Sequence, residues 1–160
     1  MKLKRTGLNG RMIVVYKFRT MHPYAEYLQD HIFKDNDLKE GGKIDDDYRL
    51  AGWGRFMRRL WLDELPMVYN WLRGEVKLFG VRPLSMQYLS LYTDELKEMR
   101  NRIKPGLIPP FYADLPGTFA EICDSEKRYI EAYLEKPIRT QWVYLWKAFS
   151  NIVIKGARSN

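Results

Sequence analysis

Apolar side chains recur at three-to-four spacing from residue 50 onward, and that period commits the middle of the chain to helix. Leu50, Trp53, Phe56, Met57, Leu60 and Trp61 fall on one side, with Arg49, Arg55, Arg58 and Arg59 on the other. Asp47 is the expected N-cap. Gly52 and Gly54 weaken this helix, and mark a close backbone approach or a late start. A second helix is expected to begin at Leu62, Asp63, Glu64, Leu65 and Pro66, because proline suits a first turn where its missing N–H has no partner to lose. Leu65, Val68, Tyr69 and Leu72 form its stripe and Gly74 ends it. Residues 76–79 read as a short strand that stops at Gly80 and Pro83.

The ends of the chain follow other periods. Asn9 and Gly10 form a turn signal with a β-branched run after it, which reads as a hairpin. Alternation from residue 12 puts Met12, Val14, Tyr16 and Phe18 on one face and Ile13, Val15, Lys17 and Arg19 on the other. Lys17 and Arg19 thus project together, as a solvated edge or as a phosphate contact. Residues 22–38 look helical, and a flexible stretch over 39–43 follows. Residues 86–103 read as one helix, 104–110 as an ordered Pro/Gly loop, and 125–134 and 140–154 as two closing helices. Trp142, Trp146, Phe149 and Val153 line one face of the last, an expected core stripe, with a membrane-interface helix as the other reading. The fold class is α+β: mostly helical, with a short N-terminal β-hairpin and a small sheet, in one domain over residues 1–160.

Composition excludes several classes. Lys and Arg outnumber Asp and Glu by 27 to 20, a formal charge of +7 that attracts phosphates, nucleic acid or an anionic membrane face. Cys123 is the one cysteine, so no internal disulfide forms and a reducing compartment fits. His22 and His31 show no zinc-ligand spacing. No apolar run approaches the about eighteen residues of a spanning helix, and the start lacks the apolar core of a secretory signal. The basic residues are spread along the chain without a nucleic-acid-binding motif, so no nucleic-acid partner is expected.

Asp63 and Glu64 are the most informative pair. A carboxylate at a helix start lies in the field of unpaired N–H groups, which keeps it ionised and also favours phosphate. A carboxylate can attack phosphorus to give an acyl-phosphate, splitting one displacement into two easier ones. Glu64 points about 100° away and offers a hard oxygen ligand for Mg²⁺ on a diphosphate. Acids in a first helical turn also occur for stability alone, and position leaves both readings open. Arg55, Arg58 and Arg59 precede the acids, Arg82 sits after the next strand, and Lys17 and Arg19 close the first hairpin. Arginine forks suit phosphate oxygens, so these residues make a phosphoryl-transfer site if the fold brings them together.

At these residues the sequence resembles the bacterial sugar transferase family, the monotopic polyprenyl-phosphate phosphoglycosyl transferases. The likeness begins at Gly7, Leu8, Asn9, Gly10 and Arg11, and continues through Lys17, Phe18, Arg19, Thr20 and Met21. It peaks in Gly54, Arg55, Phe56, Arg58, the Leu62–Pro66 block, Asn70, Gly74, Gly80, Arg82 and Pro83, with Lys104, Pro105 and Gly106 as a further landmark. The resemblance implies that Asp63 is the nucleophile, taking a phospho-sugar from a UDP-sugar and expelling UMP. It also implies that Glu64 is the Mg²⁺ ligand, that Arg58, Arg82, Lys17 and Arg19 serve the phosphates, and that polyprenyl (undecaprenyl) phosphate then takes the group. Asn70, Pro83 and Glu131 are implied as supporting residues, Glu131 filling the place of an acid before a Tyr-rich stretch. Such a reaction begins surface-polysaccharide or glycoconjugate assembly at the cytoplasmic face of the bacterial inner membrane.

The chain departs from the family pattern at Trp61 (usually Ser), Met67 (usually Gln) and Val81 (usually Pro). Members also carry a hydrophobic membrane helix upstream. The chain is therefore expected to be the soluble catalytic piece of a longer protein or a short relative, with poor access to lipid. The competing expectation is a non-catalytic domain that binds a UDP-sugar or a partner through the same basic surface.

Overall fold

A computed structural model describes residues 1–22 and 52–154. Its elements run β1 (Lys2–Thr6), β2 (Met12–Tyr16), α1 (Gly52–Arg59), α2 (Met67–Leu72), β3 (Lys77–Phe79), α3 (Met86–Leu89) and α4 (Asp94–Asn101). Then come β4 (Gly106–Ile108), α5 (Phe111–Asp114), α6 (Phe119–Glu135) and α7 (Pro137–Ile154). Single 3₁₀ turns lie at Leu8–Gly10 and Leu62–Glu64. The α+β expectation holds, with helix dominant and two small sheets.

β1 and β2 form the expected antiparallel hairpin, in a register that pairs Lys2 with Tyr16 and Thr6 with Met12. Asn9 and Gly10 both take left-handed backbone angles, which their residue types tolerate and the tight connection requires. Val15 is fully buried while Met12 and Val14 stand exposed, so the face carrying Ile13 and Val15 is the inner one. Two buried polar residues fix the hairpin to the body. Thr6 donates its N–H (2.9 Å) and its hydroxyl (3.2 Å) to the Leu84 carbonyl. Asn70, fully buried on α2, accepts from the Tyr16 N–H (3.2 Å) and donates to the Val14 carbonyl (2.7 Å) and the Glu75 carboxylate (2.6 Å). A buried amide with donors and acceptors all satisfied specifies one docking position.

β3 and β4 pair in parallel, Lys77 with Gly106 and Phe79 with Ile108. Residues 104–110, read from sequence as an ordered loop, therefore contain a strand. Glycine is required where the two strands meet, because a Cβ on Gly106 would lie 2.1 Å from the Gly80 nitrogen. The core forms around this pair. Phe79 and Val81 pack with Leu96 and Ile103 around α4 and with Tyr129 and Ile130 of α6.

Several boundaries differ from those the sequence suggests. The helix expected over 86–103 is two helices, because Ser85 and Thr93 each accept a backbone N–H three residues on and start a helix of their own. Thr118 caps α6 in the same way, so that the helix starts six residues before the expected position. The stripe of Trp142, Trp146, Phe149 and Val153 is not core: Trp142 is 69 % and Trp146 73 % exposed. α7 instead turns its other face inward, where Ala148 permits close packing and Asn151 donates to the carbonyls of Tyr112 (3.1 Å) and Ala113 (2.8 Å). The helix over 22–38, the flexible 39–43 stretch and the Asp47 cap lie outside the described residues.

Candidate active site

The site is assembled around the short segment that follows β2. A Cβ on Gly54 would lie 2.1 Å from the Thr20 carbonyl oxygen, so only glycine lets α1 approach the segment this closely. One turn along α1, Arg58 donates from Nε to the Thr20 hydroxyl (3.0 Å). On the far side, the Phe18 N–H donates to the Asp63 carbonyl (2.9 Å). These two attachments set Lys17 against the acidic pair. Lys17 Nζ hydrogen-bonds the Glu64 carboxylate, and Arg82 Nη2 stands 3.6 Å from the same Glu64 oxygen.

The backbone of the pair differs from the sequence expectation. Asp63 does not open a helix. It lies within the single 3₁₀ turn Leu62–Glu64, and α2 starts only at Met67, after Pro66. The reason lies one residue upstream, where Trp61 takes a left-handed conformation (φ 57°) that breaks the run of helix from α1. The Trp61 ring packs on Tyr112 with centroids 5.0 Å apart, and its indole N–H is buried with no acceptor among the described residues. Met67 and Val81, the other two departures from the family pattern, are each 2 % exposed and join the apolar interior.

The loss of the helix end changes the electrostatics. Burial, opposed by Lys17, pushes the Asp63 carboxyl above the ordinary carboxylate range, and the adjacent Glu64 charge adds to the shift. The helix dipole expected to favour the Asp63 charge is missing, since the residue sits in one 3₁₀ turn rather than at a helix start, and Asp63 is 8 % exposed. Glu64 behaves oppositely. Burial works against its charge, but Lys17 and Arg82 outweigh burial and hold the carboxyl below its usual range. Burial, with Arg82 adding, pushes the Lys17 ammonium below its usual value against the pull of Glu64. Two neighbouring carboxyls thus have environments that drive them apart, the pattern from which different chemical roles arise.

Of the residues singled out in sequence, Asp63, Glu64, Lys17, Arg58 and Arg82 meet here. Asn70 holds β2 in register with α2, and Pro83 is buried directly after Arg82. Arg19 is exposed two residues beyond Lys17, and Glu131 is exposed on α6, where its charge acts on Lys127. Sequence reasoning gave four further residues no role here. Thr20 receives Arg58. Arg5 lies close enough to Arg82 that burial and that neighbour lower its pKa. Arg100 and Glu126 form a buried ion pair under the Arg82 loop. Pattern reading had no access to these, because each pairing joins residues far apart in the chain.

The arrangement offers one carboxyl held above the usual range, a second held below it, and cations around both. Among the described residues no group of three or more His, Cys, Asp or Glu could hold a metal by itself. Mg²⁺ commonly takes one or two carboxylates and completes its shell with substrate phosphates and water, and the Glu64 carboxylate fits that requirement.

Comparison with known proteins agrees with these landmarks. A family model described as bacterial sugar transferase matches residues 1–152. The chain is 40 % identical over 106 residues to an uncharacterized sugar transferase, EpsL, of Bacillus subtilis, covering 66 % of this chain and 46 % of that protein. It is 29 % identical over 156 residues to the exopolysaccharide production protein ExoY of Rhizobium meliloti, covering 94 % and 64 %. It is 30 % identical over 109 residues to the undecaprenyl-phosphate galactose phosphotransferase of Salmonella typhimurium, covering 65 % and 23 %. The chain therefore spans less than two thirds of the length of each of these relatives.

Proposed function

Because this chain belongs to the bacterial sugar transferase family, we propose that its acidic pair carries out sugar-phosphate transfer from a UDP-sugar to polyprenyl phosphate. The observation that carries the reading is the asymmetry of Asp63 and Glu64, one carboxyl driven up and its neighbour held down inside a ring of Lys17, Arg58 and Arg82. Relatives named for undecaprenyl-phosphate galactose or glucose-1-phosphate transfer support it.

In the first step an Asp63 oxygen bonds to the sugar-bearing phosphorus, and the bond from that phosphorus to the bridging oxygen breaks. UMP leaves with the electron pair. Burial of Asp63 strips water from the nucleophile and keeps the acyl-phosphate from casual hydrolysis. Arg82 and Arg58 offset the charge that spreads over the phosphoryl oxygens, and Lys17 holds Glu64 in place beside them. Glu64 would hold Mg²⁺, and the ion would supply charge neutralisation for the phosphates. In the second step a phosphate oxygen of the polyprenyl phosphate attacks the same phosphorus, and Asp63 leaves as carboxylate.

A two-step path has a signature that needs no lipid. Labelled UMP should exchange into UDP-sugar in the absence of polyprenyl phosphate, because the first half-reaction runs backwards from the covalent enzyme. Exchange that appears only when the acceptor is added would replace the two-step path with direct transfer.

A further inference from the structure

Arg82 lies on a loop with little regular structure, yet its guanidinium must be aimed at Glu64 and the phosphates. What aims it is a buried ion pair from elsewhere in the chain. Arg100, in the last turn of α4, sends Nη1 to the Glu126 carboxylate of α6 and Nη2 to the backbone carbonyl of Arg82 itself. Both side chains of the pair are 5 % exposed. The Arg100 guanidinium lies 5.2 Å from the centre of the Tyr92 ring. Both terminal nitrogens of the Arg100 fork are thereby committed. Its one contact with the loop falls on the residue that faces the acidic pair.

We propose that Arg100, locked by Glu126 and Tyr92, is a positioning residue for the phosphate site, holding the Arg82 backbone so that its side chain reaches Glu64 and the incoming diphosphate. The inference rests on the phosphate-binding role given to Arg82 above. A buried pair replaced by apolar residues often costs little stability, so stability alone is a weak reason for such a pair. Its attachment to the Arg82 carbonyl gives it another. Thr6 holds the next bend of the same loop through the Leu84 carbonyl, so the hairpin and α4 grip the loop from two sides.

The test is a double-mutant cycle on parent, Arg82→Ala, Arg100→Lys and the combined variant. Lysine keeps the charge beside Glu126 but loses the planar fork, so it cannot serve Glu126 and the carbonyl together. The ligand is UDP in Mg²⁺ buffer, followed by calorimetry. Arg100→Lys should weaken binding about tenfold, the scale of one charge-assisted hydrogen bond lost from the site. In the Arg82→Ala background the same change should cost nothing further, since Arg100 acts only through Arg82. An equal loss in both backgrounds would overturn the inference and make the pair a general stabiliser. Amide hydrogen exchange on the same proteins separates this inference from the functional reading. In Arg100→Lys the Arg82 and Leu84 amides should exchange at least about tenfold faster while those of β2 keep their rate. If parent does not bind UDP, the UDP-sugar reading fails, and unchanged exchange at Arg82 would independently sink the positioning role. Glu126→Gln, which keeps an acceptor for Arg100, replaces Arg100→Lys if the latter does not fold.

Discussion

At the residue scale, Asp63 pays in stability for its chemistry. Its carboxyl is raised in the folded chain by burial, so the unfolded chain releases that proton first. The group's contribution is fully present below the unfolded pKa and is lost as pH rises through the folded one. At neutral pH the buried charge therefore opposes folding. Asp63→Asn keeps the shape and removes the charge, and should raise the melting temperature at pH 7 by about 2–4 °C, near 1 kcal/mol for a chain of this size. The gain should shrink as pH falls toward about 4, where the aspartate is protonated too. A thermal scan at both pH values checks it, and a variant less stable than parent at pH 7 would mean that Lys17 and Arg58 outweigh burial. Much of this site was legible from sequence, because Asp63 and Glu64 are adjacent and their residue types state their chemistry. The direction of the Asp63 shift was not, since it depends on Trp61 turning left-handed and on burial by distant residues.

At the element scale, α1 holds the segment after β2 through Gly54, and α2 holds β2 itself through Asn70. Gly54→Ala would drive a methyl into the Thr20 carbonyl, a backbone atom that cannot swing aside. We expect a loss of about 1–3 kcal/mol on denaturant unfolding and weaker UDP binding, because α1 carries Arg58 away from Thr20 as it shifts. Retained stability with retained binding would mean that the two elements do not need this contact. Asn70→Ala removes three side-chain hydrogen bonds at a fully buried position and strands the groups that made them. It should cost about 3 kcal/mol, read from the same unfolding curves. The helical period of α1 and the hairpin turn could be read directly, because both are local. The split at residues 90–93 and the strand inside 104–110 could not. The first turns on which of several Ser and Thr residues become caps, and the second on a parallel partner supplied by β3.

At the scale of the whole molecule, the hairpin is gripped at Thr6 by the Arg82 loop and at Tyr16 by α2, so β1 and β2 bridge the loop that bears Arg82 and the helix that follows the acidic pair. Arg100 and Glu126 extend that grip from α4 to α6. The sequence showed the parts of this frame but not its closure, because a basic residue in an amphipathic helix reads as surface until its partner is known. The outward stripe of Trp142 and Trp146 on α7 shows the same limit in reverse, since periodicity marks an apolar face without saying what it meets. The central claim is that this frame makes Asp63 a phosphoryl acceptor. Intact-protein mass after incubation with Mg²⁺ and a panel of UDP-sugars tests it most directly, with Asp63→Asn alongside. The account predicts a hexose-phosphate or N-acetylhexosamine-phosphate adduct on the parent chain and none on the variant, which would identify the sugar as well. An adduct of equal yield on Asp63→Asn would contradict it, and so would UMP release by the parent with no adduct at any time.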